Sequence, residues 1–333
     1  MTARHRAAVV AGVGAWLPPD VVTNDDLSAR MDTSDDWIRR RTGIRRRHIA
    51  SEGTAASDLA VEAGRRALES ARLRGVDMVV LTTTTPDRPC PATAPAVAAR
   101  LGMADVPAFD VAAVCTGFLY ALATSAGLIA AGTADNVLVI ATEVYSSIID
   151  PADRATAVVF GDGAGAVVLR SGEPDEWGAL GAFTLGSDGR HEDLIRVPAG
   201  GSRQRKSALP PRPGDEYFTM RGKEVFRHAV QRMTSSSRQA ARAAGWEPES
   251  VDRFAAHQAN ARILTAVSER LGLADEQLLT NIEEVGNIGA ASLPVLLDRS
   301  AEGGELKPGH RLLLTAFGGG LTWGATTLVW PRL

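Results

Sequence analysis

The feature that most constrains this chain is a long-period internal repeat. Val76-Asp77-Met78-Val79-Val80 resembles Val251-Asp252-Arg253-Phe254-Ala255, with Asp77 and Asp252 standing 175 positions apart. Asn136–Ala141 matches Arg311–Ala316 at the same spacing of 175. Val114-Cys115 opens a helix expected to end near Gly132, and Val285-Gly286-Asn287, 171 positions on, opens one expected to end near Gly303. Three such close spacings predict two copies of one βαβ-type unit. The copies divide the chain into an N-terminal half over 1–172 and a C-terminal half over 173–333, joined near the polar, Pro- and Gly-punctuated segment Ser171–Glu176.

Within each copy the strand-like runs are Val-rich and do not alternate: Asp77–Thr82, Asn136–Ala141, Thr156–Phe160, Ala164–Leu169, Arg311–Thr315 and Thr326–Trp330. Such runs suit sheets buried on both faces. Ala-rich stretches predict helices over Ala56–Ser70, Thr116–Ala131, Lys223–Ala244, Ala261–Leu271 and Ser292–Glu302. The alternation argues for α/β layers. Pro198–Asp215, rich in Gly, Pro and Arg, reads as a loop inserted in the second half. Behind Arg4-His5-Arg6, the apolar run Ala7–Leu17 has the outline of a secretory leader. Gly12 and Gly14 interrupt it, Pro18-Pro19-Asp20 turns the chain and no small-x-small cleavage site follows, so it reads as the first strand. Nothing approaches about 18 uninterrupted apolar residues, so no membrane helix is expected and a cytoplasmic location is.

Thirty-six basic residues against 39 acidic ones give a net charge of −3, which supplies no basic field for nucleic acid or anionic lipid. Cys90 and Cys115 are the only cysteines, too few for a disulfide scaffold or a Cys-rich metal site. Lys206, Lys223 and Lys307 are the only lysines, and the arginine excess reads first as codon bias.

Cys115 lies between the strand-like Ala108–Val114 and a helix beginning Thr116-Gly117-Phe118-Leu119. There the positive end of the helix dipole is expected to depress the thiol pKa, as a nucleophile requires. A buried structural Cys is the competing reading; Gly117 and the small Thr116 leave room beside the sulfur. Cys90, in Arg88-Pro89-Cys90-Pro91, has no helix behind it and reads as structural. A thiol nucleophile needs a histidine and an orienting amide or carboxylate. His257 follows the run Val251–Ala256, and strand ends of a parallel sheet are where α/β sites assemble. Asn287 opens the repeat mate of the Cys115 helix, so it serves as a helix cap, as a site residue, or as both. Pseudo-twofold symmetry then points two helix N-termini at one centre.

Phe317-Gly318-Gly319-Gly320 ends a strand where backbone amides can approach a ligand, and one of them with the Cys115 amide would form an oxyanion hole. Gly161-Asp162-Gly163-Ala164-Gly165 is followed by another strand and reads as a tight turn. Asp32–Trp37 resembles a capping box with Thr33 as cap and Asp36 at its third position, and Gly43 would stop that helix. Trp37 and Arg41, four apart, share a face. They suit an adenine and a phosphate, or form a cation–π surface pair or a core Trp.

Taken together, these motifs resemble the β-ketoacyl-acyl-carrier-protein synthase III family of the thiolase superfamily, over essentially the whole chain. The resemblance rests on Asp32–Ile38 with Arg41-Thr42-Gly43-Ile44-Arg45, on Phe109–Phe118 around Cys115, and on Phe160–Ala166. His257-Gln258-Ala259-Asn260, Gly286-Asn287 and Phe317–Gly320 with Thr322-Trp323-Gly324 complete it. It implies a thiolase-like fold, two duplicated halves in a five-layer αβαβα sandwich, and a homodimer. It implies that Cys115 takes an acyl group from acyl-coenzyme A, and that His257 and Asn287 promote decarboxylative condensation with malonyl-carrier protein. The amides of Cys115 and Gly319 would hold the oxyanion, with no metal or redox cofactor. By the same resemblance Trp37, Arg41, Arg154, Gly222 and Asn260 contact coenzyme A, and Arg227 and Arg262 face the acidic carrier protein. Cys90, Tyr145, Met220 and Phe317 would line the acyl pocket.

Three departures bear on substrate. Ile288-Gly289 stand where the family commonly has Thr-Ser. Cys90 replaces an aromatic that reaches the partner subunit's acyl tunnel, and Tyr145 replaces a smaller aliphatic. They motivate a second reading: an acyltransferase that passes the Cys115 acyl group to a hydroxyl or amine without decarboxylation. A non-enzymatic scaffold role is opposed by the retained Cys115, and thiolase itself by the lack of a cysteine after Cys115.

Overall fold

The computed structural model of the protein describes residues 6–333; Arg4 and His5, which give the N-terminus its leader-like outline, lie outside the described residues. Two five-stranded sheets organise the chain. The first holds β1 (Ala7–Trp16), β2 (Met78–Thr82), β3 (Ala108–Asp110), β4 (Asn136–Val144) and β5 (Asp162–Gly172) in the order β1-β5-β4-β2-β3. The second holds β6 (Thr184–Ser187), β7 (Arg253–Ala256), β8 (Leu278–Leu279), β9 (Arg311–Gly318) and β10 (Thr322–Val329) in the order β6-β10-β9-β7-β8. Order and sense repeat strand for strand. β2 pairs in parallel with β3 and β4, as β7 does with β8 and β9, while the β4/β5 and β9/β10 hairpins are antiparallel.

The principal helices are α1 (Asp35–Thr42), α2 (Ala56–Ser70), α3 (Gly117–Ala130), α4 (Gly222–Ala243), α5 (Ala261–Leu271) and α6 (Ser292–Glu302). α2 packs on β1, β4 and β5, and α4 packs on β9, β10 and α5. Between the sheets lie the mates α3 and α6, whose Phe118, Leu119, Leu293 and Leu296 share one core with Val139 and Leu314. The result is a thiolase-like αβαβα sandwich. α3 carries almost no polar face because it lies between the two sheets, with only Thr124, Gly127 and Ala130 left exposed along one edge.

Several expected elements differ. The strand expected over Ala108–Val114 stops at Asp110, because the chain must leave the sheet to form the 3-10 turn that carries Cys115. Thr156–Phe160 is not a strand: Arg154–Ala157 forms one helical turn, and Phe160 makes only an isolated bridge to Asn287. The glycine run Gly161–Gly165 is no turn but the start of β5. Its glycines serve close approach, since a Cβ on Gly165 would lie 2.8 Å from the Pro294 ring and the Val295 amide of α6. The α1 cap is Ser34, whose hydroxyl accepts from Trp37 N–H at 3.2 Å, and not Thr33. Gly43 does end α1, at φ +79°. No helix among the described residues is long and apolar enough to cross a membrane.

Overpacking typically costs about 1–3 kcal/mol. Gly165→Val, which drives a branched side chain into α6, should therefore lower the thermal midpoint clearly. Gly127→Ala, on the exposed side of α3 with nothing within 4 Å, should raise stability by up to about 1 kcal/mol. Thermal unfolding followed by circular dichroism checks both; a neutral Gly165→Val would refute the close-packing account.

Candidate active site

Cys115 sits in a 3-10 turn, Val114–Thr116, at the entrance to α3. Val114 has φ +47°, a left-handed conformation that β-branched residues seldom adopt and that costs on the order of 1–3 kcal/mol. Both sheets hold the turn in place. The buried Thr116 hydroxyl donates to Thr322 O at 3.1 Å, and Thr322 Oγ1 donates to Ala113 O at 3.3 Å, tying the turn to the start of β10. On the other side a Cβ at Gly117 would lie 2.0 Å from Thr82 Oγ1 at the end of β2. The end of β9 also approaches closely: a Cβ on Gly318 would lie 2.9 Å from the amide nitrogens of Cys115 and Thr116.

The Cys115 thiol is buried, with Tyr145 Oη 3.8 Å from its sulfur. Burial, and secondarily the Glu143 carboxyl, push it up to about 12. This reverses the expectation of a depressed pKa. A helix N-terminus contributes at most about 2 kcal/mol, or roughly 1.5 pKa units, so desolvation wins and the resting group is a thiol. Glu143, itself pushed up to about 8 by burial, accepts from Thr84 N–H at 2.9 Å, Thr84 Oγ1 at 3.1 Å and Ala290 N–H at 3.3 Å.

His257 follows β7, its own N–H bonded to Thr315 O of β9 at 2.9 Å. The buried ring meets Ser292 Oγ through Nδ1 at 2.6 Å, and Ser292 Oγ also accepts from Gln258 N–H at 3.3 Å. Ser292 Oγ carries one proton and two lone pairs, so a ring that takes the Ser292 O–H at Nδ1 carries its own proton on Nε2. Burial pushes His257 down to about 4, so the ring is neutral at pH 7. Asn287 is held from both sides: its N–H donates to Val159 O at 2.9 Å, its C=O accepts from Gly161 N–H at 3.0 Å, and Oδ1 accepts from Gly289 N–H at 3.0 Å. Its Nδ2 has no partner among the described residues. Asn287 thus closes a tight turn ahead of the 3-10 turn Gly289–Ala291 that leads into α6.

Cys115, His257 and Asn287 line one cavity of about 30 Å³, together with Met220, Phe317 and Gly318. A larger cleft of about 750 Å³ between α1 and Thr280–Glu284 holds none of these side chains. Tyr145 is buried behind Cys115, whereas Cys90 is exposed and takes no part in this chain's cavity. Gly319 is buried against Val114, one residue beyond the contact that Gly318 makes with Cys115.

Near the surface two guanidinium groups pack on the Trp37 ring, with Arg41 Cζ 4.6 Å and Arg154 Cζ 4.8 Å from its centroid. The cation–π pair left open by the sequence is therefore formed, and Arg154 joins it. Asn260 also holds the local structure together, capping α5 by accepting from Arg262 N–H at 2.9 Å and donating to Arg41 O at 3.0 Å. Gly222 opens α4, and Arg227 on α4 and Arg262 on α5 are exposed. Sequence reasoning misses Ser292, Glu143 and Phe218. Ser292 begins a predicted helix and Glu143 is an acid just past a predicted strand, so both carry a usable signal; Phe218, beside a Pro-rich loop, carries none.

Against known proteins, the family described as 3-oxoacyl-[acyl-carrier-protein] synthase III matches residues 109–189, and its C-terminal part matches residues 241–330. The chain is 58% identical over 330 residues to a β-ketoacyl-[acyl-carrier-protein] synthase III of Streptomyces coelicolor, covering 98% of each. Its fold superposes on the crystal structure of 3-oxoacyl-(acyl carrier protein) synthase III from Pseudomonas aeruginosa with a TM-score of 0.92 at 48% identity, covering 98% of this chain and 99% of that one. The priming β-ketosynthase of the R1128 polyketide pathway also superposes at 0.92, with 33% identity, covering 100% and 98%.

A thiol protonated at rest should be alkylated slowly near neutrality. In a Cys90→Ser background, iodoacetamide modification of Cys115 should rise about tenfold per pH unit between roughly pH 7 and 9. A rate that levels off below about pH 8 would show a resting thiolate and overturn the burial argument.

Proposed function

The chain belongs to the 3-oxoacyl-[acyl-carrier-protein] synthase III family, and from that membership we propose how its own residues divide the reaction. The protein is a condensing acyltransferase, joining the acyl group of an acyl-coenzyme A to malonyl-carrier protein with loss of carbon dioxide. One observation carries the assignment of roles. A thiol, a neutral imidazole whose Nδ1 meets Ser292 Oγ, and an amide whose Oδ1 is held by Gly289 N–H share one small cavity.

In the first half-reaction the Cys115 sulfur attacks the thioester carbonyl of acyl-coenzyme A. The amides of Cys115 and Gly319 stabilise the oxyanion, the carbon–sulfur bond to coenzyme A breaks, and the departing thiolate takes the proton that Cys115 gives up. A buried, protonated thiol supports this order, because the proton is delivered where the leaving group needs it. In the second half-reaction His257 Nε2–H and Asn287 Nδ2–H donate to the thioester carbonyl of malonyl-carrier protein. The bond to the carboxylate breaks, carbon dioxide leaves, and the electron pair enters the enolate that both donors stabilise. The enolate carbon attacks the acyl-Cys115 carbonyl and expels the sulfur, giving the 3-oxoacyl-carrier protein, and the sulfur takes up one proton from solvent to restore the resting thiol.

Trp37 with Arg41 and Arg154 is assigned to the adenine and phosphates of coenzyme A, with Gly222 and Asn260 along its path. The support is an indole already faced by two guanidinium groups, either of which can exchange the ring for a phosphate. Arg227 and Arg262, exposed on the packed pair α4 and α5, are assigned to the acidic carrier protein. Met220 and Phe317 wall the cavity and Tyr145 backs it. We further propose a cytoplasmic homodimer, in which the wholly exposed loop Pro86–Ala92 carries Cys90 to the partner's acyl end. The alternative of transfer without decarboxylation loses its motive. Ile288 is fully buried in the central core and Gly289 N–H supports Asn287 Oδ1, so neither disables the amide.

Incubation with acyl-coenzyme A thioesters followed by malonyl-carrier protein, read by intact mass and carbon dioxide release, tests the roles. Cys115→Ala should acquire no acyl mass. His257→Ala and Asn287→Ala should still be acylated yet lose about 10²–10³-fold in carbon dioxide release. Undiminished release from either variant would remove these residues from the decarboxylation step. Sedimentation should give twice the 35.1 kDa chain mass; a monomer at working concentration would remove the dimer.

A further inference from the structure

We propose that Tyr145 and Gly289 act as one specificity-determining unit that restricts the acyl group on Cys115 to acetyl or propionyl; the inference rests on the reading of Cys115 as the acylated nucleophile. Tyr145 begins the short turn that follows β4 and is fully buried. Its ring stacks on Phe160 with centroids 4.6 Å apart and meets Phe218 edge-on at 5.6 Å, while Phe160 and Phe218 pack edge-on at 5.0 Å. Phe160 and Phe218 also line the cavity beside Cys115, and Tyr145 Oη stands 3.8 Å from Cys115 Sγ and 3.5 Å from Thr84 Oγ1. The tyrosine therefore fills the space directly behind the sulfur.

Gly289 is what admits the ring. At φ +53° its backbone is already in the left-handed region, and a Cβ built there would lie 2.5 Å from Tyr145 Cε2, 3.1 Å from its Oη and 2.9 Å from Glu143 Oε1. Any side chain at 289 must displace either the ring or the buried carboxyl. The ring has nowhere to retreat, with the Gly289 backbone on one side and two phenylalanines on the other. The glycine at 289 and the tyrosine at 145 are thus two sides of one exchange, in which volume removed from one position is taken up at the other. The cavity that Cys115 lines, about 30 Å³, is walled by Phe160 and Phe218, the two rings that pack on Tyr145. A two- or three-carbon acyl group asks the least displacement of these walls. A branched or long chain needs the tyrosine to move, and the ring blocks it before it can reach any loop supplied by a partner subunit.

The full-length protein is incubated with acetyl-, propionyl-, isovaleryl- and octanoyl-coenzyme A, and acylation rates are read by intact mass. The wild type should favour acetyl over isovaleryl by about tenfold or more. Tyr145→Leu should bring that ratio close to one, and Tyr145→Phe, which keeps the ring, should retain the wild-type preference. A wild type that takes isovaleryl as fast as acetyl, or a Tyr145→Leu variant with an unchanged ratio, overturns the inference alone. No acyl mass from any thioester overturns the nucleophile reading and this inference with it. Thermal unfolding gives a second readout independent of catalysis. Gly289→Ser should lower the midpoint far more in the wild type than in the Tyr145→Leu background, and equal losses in both would break the coupling.

Discussion

The site depends on the burial of two helices between two sheets. α3 and α6 are mates in the repeat, and each begins beyond the carboxyl end of a parallel strand pair. Covered on both sides, they can bury their apolar surfaces only by lying in the same layer, which brings their N-terminal turns to one place. Neither half holds a complete site. The first supplies Cys115; the second supplies His257, Asn287, Ser292 and the strand end at Gly318. Duplication explains why residues more than 140 positions apart in sequence line one cavity, and why the strained Val114 turn is held by threonines from both sheets.

The same burial decides the electrostatics. In a low-dielectric interior each ionisable group favours its uncharged form. The thiol, the imidazole and the Glu143 carboxyl are accordingly all shifted toward neutrality. A resting site with little formal charge costs less to bury than an ion pair. In the roles proposed for His257 and Asn287, its hydrogen-bond donors face the positions where negative charge develops once a thioester enters. Donors that meet charge only in the transition state raise the rate without tightening the ground state.

The architecture is legible in the sequence because apolar periodicity survives duplication. Ala56–Ser70, Ala261–Leu271 and Ser292–Glu302 are helices to the residue, and the strand order repeats as the spacing of 175 requires. Local backbone conformation is less legible. Gly161–Gly165 has the composition of a turn, yet Gly165 answers to α6 packing across the sheet, a constraint from Pro294 and Val295 about 130 positions away. Thr156–Phe160 has strand composition because Phe160 faces the cavity, not because it joins a ladder. The direction of the Cys115 pKa shift escapes the sequence for a related reason: the dipole is a local property of α3, whereas desolvation comes from everything packed around the turn.

Substitutions at a site are therefore read better by volume than by position. Ile288-Gly289, directly after Asn287, look in sequence like an assault on the catalytic amide. In three dimensions Ile288 belongs to the central core, and the Gly289 backbone hydrogen-bonds the same Asn287 it seemed to threaten. Gly289 faces the Tyr145 ring across a distance at which a single added carbon would collide. Because the interior is close-packed, an exchange of volume between the two leaves the fold and the polar groups in place and alters only the space beside the sulfur. In a duplicated fold whose two halves lock the Cys115 turn from opposite sides, that space is the part of the site most open to change without loss of the chemistry.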